Sequence, residues 1–325
     1  MELMAKGLTF VVVALCAVTM GFAIQRGATC TVAAVEEVVA RRGAGRLIAL
    51  VEASAWVAGG LLIAHRLHWL AQVPMGYAVT GWTFAGAALL GIGAFVTRAC
   101  VFGAIARLGS GEWAYAATPL GFYLGCVSVT SVFAPTAAQG LGSSPVFLAA
   151  PAATAWLIAG WLVWRIATPL VGHRGMLRDL LGRRLWSPHA ATIVIGLAFL
   201  VMLILAGAWA YTDVLADLAN GMVHDVAARM VLLMCLLAGA IVGGWTAGRL
   251  HFTRVRAATL VRCLIGGVLM GWGSLLIPGG NDGLILVGMP MLWPYAWVAF
   301  ATMCLTIGSA QWVQLQLAKR RLPGS

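Results

Sequence analysis

The chain has 325 residues, of which 62% are hydrophobic and only 10% charged, and its formal net charge is +11. Soluble domains are about a quarter charged and a little under half apolar, so a water-soluble fold of this length is excluded. The bilayer is the solvent that suits this composition, and the positive balance then reports loop topology rather than a nucleic-acid partner.

A transmembrane helix needs roughly 20 mainly apolar residues to cross the hydrocarbon core. Read in chain order, such runs fall at 7–24, 46–64, 79–96, 113–132, 145–167, 189–211, 226–247, 257–277 and 292–313, which predicts about nine spans. The first run follows Lys6 as a secretory signal would. It ends in Gln25-Arg26-Gly27 without a small-x-small cleavage site, so a retained span is expected. The longest polar interval, 171–189, reads as an interhelical loop, which leaves no room for a separate soluble domain.

Apolar pieces too short to cross lie between some spans, at 31–39, 101–108, 214–218 and 283–287. Three of them follow breaks of small or polar residues: Gly27-Ala28-Thr29, Thr97-Arg98-Ala99 and Gly279-Gly280-Asn281-Asp282. Irregular backbone at membrane depth is tolerated only inside protein or around a cavity. Broken helices at matching places in two halves mark a transport site. Residues 1–132 run long, short, long, long, short, long, and residues 189–313 repeat that order with a weak first short piece. A connecting span and basic loop (133–188) lie between the halves, and a basic tail (314–325) closes the chain. With one span between them, the halves are expected to be inverted.

Charge supports an outer N-terminus and a cytoplasmic C-terminus. That arrangement leaves only Lys6, Arg66 and Arg229 of the 21 basic residues towards the outside.

Two segments share one design. Gly21-Phe-Ala-Ile-Gln25-Arg26-Gly-Ala-Thr-Cys30 and Gly91-Ile-Gly-Ala-Phe-Val-Thr97-Arg98-Ala-Cys100 each end a span with glycine and arginine, then place a cysteine before a short helix. Gly271 to Gly283 has the same span–break–helix character without the cysteine. This arrangement resembles the YeeE/YedE family of bacterial membrane proteins, over nearly the whole chain. The resemblance implies an all-α integral membrane fold with short pore-lining helices, two inverted repeats and an hourglass-like pore. It implies uptake of thiosulfate or a related small sulfur anion across the inner (cytoplasmic) membrane, with a TusA-like sulfur carrier as a cytoplasmic partner. Cys30 and Cys100 match two of the family's constriction cysteines. Gly280, before Asn281, stands where a third would be.

The chemistry is coherent without the family. A dianion leaving water needs donors to replace its hydration, and helix N-termini offer unpaired N–H groups and partial positive charge. Cysteine adds a weak donor and a polarisable surface. The candidate pathway residues are therefore Cys30, Cys100, Gly280, Asn281, Arg26 and Arg98. Arg26 and Arg98 read equally well as interfacial anchors. Asp282 is expected to cap the short helix that follows it. Glu52 is expected to pair with Arg41, Arg42 or Arg46, with proton coupling as the alternative. The other cysteines, Cys16, Cys126, Cys235, Cys263 and Cys304, read as packing, and seven cysteines without paired loop spacings make no disulfide framework. No Walker loop is present, and His65 with His68 lacks a third metal ligand, so no cofactor, metal or enzyme activity is expected. Two alternatives remain: a membrane sulfur-transferase component working through a cysteine persulfide, or a transporter of another small anion.

Overall fold

The computed structural model describes residues 2–70, 74–133, 138–142, 156–157, 159–161, 163–165, 185–221 and 226–321. Most of the expected span 145–167, and of the loop after it, lies outside the described residues.

The first half contains α1 (Glu2–Gly27), α2 (Thr31–Arg41), α3 (Gly45–Arg66), α4 (Gly81–Thr97), α5 (Val101–Gly109) and α6 (Ala117–Phe133). A 3-10 turn over Trp113–Ala116 leads into α6. The second half contains α7 (Pro188–Ala206), α8 (Tyr211–Ala219), α9 (Val226–Thr246), α10 (Ala257–Leu276), α11 (Asn281–Gly283) and α12 (Pro294–Arg321). The path of α11 continues as a π-helical turn over Leu284–Gly288. A two-residue bridge pairs Gly76–Tyr77 with Gly140–Leu141. Among the described residues, eight helical stretches are long and apolar enough to cross a membrane. The fold is thus that of an all-α, multi-pass membrane protein.

Local chemistry explains where the helices stop. After α1 and α4 the chain turns at Ala28 and Arg98, with φ of 46° and 59°. The next amide then bonds back five residues: Thr29 N–H to Ile24 O and Ala99 N–H to Ala94 O, both at 3.1 Å. Gly279 N–H repeats the bond to Ser274 O at 2.9 Å after α10. These closures satisfy carbonyls at helix ends that no water reaches. The expected span 189–211 overran its helix. Gly207, at φ 85°, stops α7 after Ala206, and a new short helix starts at Tyr211. At the other end, Ser187 Oγ accepts from Ala190 N–H at 3.2 Å, with Pro188 in the first turn.

Small residues set the packing. A Cβ on Gly93 would stand 2.6 Å from Gly266 O, and one on Gly266 would stand 2.6 Å from Gly93 O. Gly86 and Gly273 oppose each other in the same reciprocal way. The two pairs show that α4 and α10 cross antiparallel with their backbones in contact, as small-residue helix packing in membranes permits. Elsewhere α1 packs on α9 and α3 on α7, while α6 packs on α10 and α12 on α4. Further in, α5 meets α9, the π-helical turn meets α3, α8 meets α6 and α2 meets α12. Exchanging α1–α6 with α7–α12 turns each of these pairings into another in the same set.

Candidate functional site

The four short helices begin at one place. α2 starts behind Cys30, α5 behind Cys100, α8 behind Ala210 and α11 behind Gly280, each of these four residues having extended backbone. The side chains and amides of these starts hold one another. Thr31 N–H donates to Cys100 Sγ at 3.1 Å, and Cys100 N–H reaches Cys30 Sγ at 3.5 Å. Thr31 Oγ1 donates to Asn281 Oδ1 at 3.3 Å, which joins the first half to the second. Tyr211 O–H donates to Val101 O at 3.0 Å, joining α8 to α5. Asp282 accepts the Thr212 hydroxyl and, at 3.3 Å, the Thr212 N–H. All of these polar side chains are buried: Thr31, Asn281, Asp282 and Thr212 are each at most 1% exposed.

The expected residues divide accordingly. Cys30, Cys100, Gly280 and Asn281 come together. Cys100 is fully buried, whereas Cys30 is partly exposed and lines a cavity of about 660 Å³. Gly103 makes room for that thiol: a Cβ there would lie 2.6 Å from Cys30 Sγ. The cavity wall carries four arginines, Arg46, Arg98, Arg107 and Arg249, against two carboxylates, Glu36 and Glu112. Arg107 is tied to Glu112 at 2.9 Å. Arg26 lies apart from the cavity-lining residues. Its buried guanidinium donates to Thr246 Oγ1 at 2.9 Å and sits 4.9 Å above the Phe22 ring, so it ties α1 to α9.

Three expectations are corrected. Asp282 is not the N-cap of the helix it was expected to cap: Gly280 holds that position, Asp282 lies in the first turn beside the Gly283 N–H, and its carboxylate also caps the first turn of α8 through the Thr212 N–H. The second-half short helix expected at 214–218 is a full Tyr211–Ala219, starting at the centre. Glu52 pairs with Arg165 at 3.1 Å and with His189, not with Arg41, Arg42 or Arg46. The arginine at 46 belongs to Glu37, at 3.5 Å. Thr31, Thr212, Gly103 and Arg107 escaped the sequence reading. Thr31 follows Cys30 directly, and its place in the first turn of α2 was the available signal. All seven cysteines are free thiols.

A multi-pass membrane protein in which broken helices from both halves start at one buried polar centre, beside a basic cavity, has the form of a solute-handling membrane protein. The sulphur transport family pattern matches residues 26–309, and the chain belongs to that family, the YeeE/YedE family. It is also similar to the thiosulfate transporter TsuA of Escherichia coli (strain K12), at 28% identity over 165 residues. That match covers 46% of this chain and 45% of the relative, so it spans less than half of the relative's length.

Proposed function

We propose that this protein carries a small sulfur-containing anion, with thiosulfate as the first cargo to test, through the centre where the four short helices begin. The observation that carries the reading is the meeting of Cys30 and Cys100 with the amide starts of α2 and α5 beside the arginine-rich cavity. A thiosulfate dianion entering there exchanges water for backbone N–H groups and weak thiol donors. The arginines raise the anion's local concentration in the cavity. The Asn281 amide adds a donor from the second half. In this reading Gly280 makes room for Thr212 and Asp282 beside the pathway, Arg98 attracts the cargo, and Arg26 holds the helix that delivers Cys30.

The same reading takes the two halves as inverted repeats around an hourglass-like pore. The exchangeable packing pairs and the antiparallel crossing of α4 with α10 support it. It sets the protein in the bacterial inner membrane with its N-terminus outside and its arginine-lined cavity on the cytoplasmic side, by the distribution of basic residues. A TusA-like carrier that consumes the sulfur in the cytoplasm would keep the gradient inward. The persulfide-transferase alternative rests on Cys30, which faces the cavity, because Cys100 is fully buried and a sulfur acceptor must be reached by its partner.

The test is radiolabelled thiosulfate uptake into cells lacking their own uptake routes. Wild-type uptake, lost in Cys30→Ala and Cys100→Ala at equal membrane expression, supports the proposal. No uptake by the wild type removes thiosulfate as the cargo.

A further inference from the structure

The centre is chemically asymmetric. In the first half, α2 and α5 start behind thiols; in the second, α8 and α11 start behind Ala210 and Gly280. A Cβ on Gly280 would run into Thr212 Oγ1 and lie 2.8 Å from Asp282 Oδ1. The Thr212–Asp282 pair therefore fills the volume that a side chain at position 280 would occupy. Asp213 adjoins it, with its carboxylate oxygens 3.7 and 3.8 Å from where a Cβ on Gly283 would stand.

Among the described residues no cation pairs with Asp282, while the charge of Arg229 reaches Asp213. Arg229, at the start of α9, is committed to Asp217 at 2.6 Å. The other ionisable groups nearby are Tyr211 beside Asp282, with Cys100 beside that tyrosine, and Asp217 of α8, Tyr77 of the bridge strand, Tyr295 of α12 and Cys126 of α6 beside Asp213. None of them brings positive charge. A second, independent observation points to an anion at this place. Asn281, between Gly280 and Asp282, is 1% exposed, and its Nδ2 has no hydrogen-bond partner although its Oδ1 is engaged by Thr31. A buried donor left open asks for an acceptor. An anion on Asn281 and an ionised carboxylate one residue away repel each other in a site that water does not screen.

We infer that Asp282 is a proton-binding site coupled to passage of the anion: the carboxylate takes up one proton from bulk water, and the neutral acid admits the anion to Asn281. The inference rests on the proposed anion transport. Thr212 suits the role, because a hydroxyl donates to the carboxylate and accepts from the protonated acid, so the contact survives both states. The immediate partners of Asp282 are the Thr212 hydroxyl and backbone N–H groups of Thr212, Gly283 and Asp282 itself rather than a shell of oxygen acceptors, which favours a proton over a metal cation. By linkage, protonation tightens anion binding and the anion tightens proton binding.

Two measurements on the full chain in lipid vesicles test this. Infrared difference spectra across a pH titration are expected to show a carboxyl C=O band that grows on acidification and is absent from Asp282→Asn. Absence of an Asp282 band overturns the inference whatever the transport assays give. Thiosulfate uptake at clamped membrane potential is expected to rise as the outside is acidified, by up to about tenfold per pH unit, the ceiling for one proton. Asp282→Asn is expected to flatten that dependence. Uptake that ignores the pH gradient, or follows a sodium gradient instead, overturns the inference. An Asp282 infrared band in a protein that moves no thiosulfate sinks the transport proposal while leaving the proton site standing.

Discussion

The backbone N–H of Thr31 donates to the Sγ of Cys100 across 3.1 Å, so the first turn of one short helix is closed by the thiol that precedes another. Cys100 N–H returns the contact to Cys30 Sγ at 3.5 Å. Two residues that look alike in sequence thus have different duties. Cys100 is buried and holds the Thr31 amide, whereas Cys30 faces the cavity.

That difference makes the first prediction. Cys100→Ala leaves the Thr31 amide without its acceptor in a fully buried place, at a cost of about 1–3 kcal/mol. Cys30→Ala loses a contact that is longer and partly exposed, and is expected to cost about 1 kcal/mol or less. Thermal unfolding in detergent should therefore rank Cys100→Ala below Cys30→Ala. Equal melting temperatures for the two would contradict the assignment. Cys100→Ser, which restores an acceptor, should recover part of the loss.

The second prediction concerns position 280. Because the Thr212–Asp282 pair occupies the space, Gly280→Ala is expected to destabilise the protein by about 1–3 kcal/mol as an overpacked core does. Thr212→Gly in the same chain removes the nearest obstruction and should restore some of that stability. The idea fails if Gly280→Ala melts with the wild type.

Arg26 and Arg98 occupy similar places in the two duplicated segments, yet their surroundings predict opposite phenotypes. Arg26 is buried against Thr246 and Phe22, so Arg26→Gln should lower stability and membrane yield. Arg98 lines the cavity, so Arg98→Gln should leave the melting temperature within the range of surface changes, about 0.5 kcal/mol. Its expected effect is a higher KM for thiosulfate that grows weaker at high ionic strength. Initial-rate uptake at several salt concentrations checks this, and an unchanged KM at low salt would remove Arg98 from the pathway.

A fourth prediction separates packing from sequence composition. Gly266→Val sets a branched side chain against the Gly93 carbonyl, where even a Cβ stands at 2.6 Å, and should abolish folded protein in the membrane. Gly81→Ala, where a Cβ meets nothing within 4 Å, should be neutral or slightly stabilising, since alanine favours the helix. Yield and monodispersity after detergent extraction report on both. A well-folded Gly266→Val protein would show that α4 and α10 are not in backbone contact.

Much of the architecture was legible in the chain because hydrophobic length and small-residue breaks are local properties. The order of long and short helices, the breaks after Gly27, Thr97 and Ile277, and the kinship of Cys30 with Cys100 all follow from residues a few positions apart. The short helix Tyr211–Ala219 was only half seen, because Ala208-Trp209-Ala210 continues the apolar run and hides the break that Gly207 makes. Glu52 was given near neighbours in sequence as partners, but its cations come from Arg165 and His189, the latter 137 positions away.

What the sequence determined by itself was the solvent, the helical class and, among the described residues, the crossing segments and the breaks that precede the short helices. Apolar run length and the cost of unpaired backbone in lipid decide those. The tertiary structure decided which groups meet. Thr31 reaches Asn281 across 250 positions, and Asp282 accepts the N–H of Thr212, 70 positions earlier in the first turn of another helix. Such contacts depend on how antiparallel helices slide past one another on glycine faces, and no periodicity along the chain encodes that distance. For the same reason the acid beside Gly280 emerged as a partner of Thr212 only once the two halves were packed together.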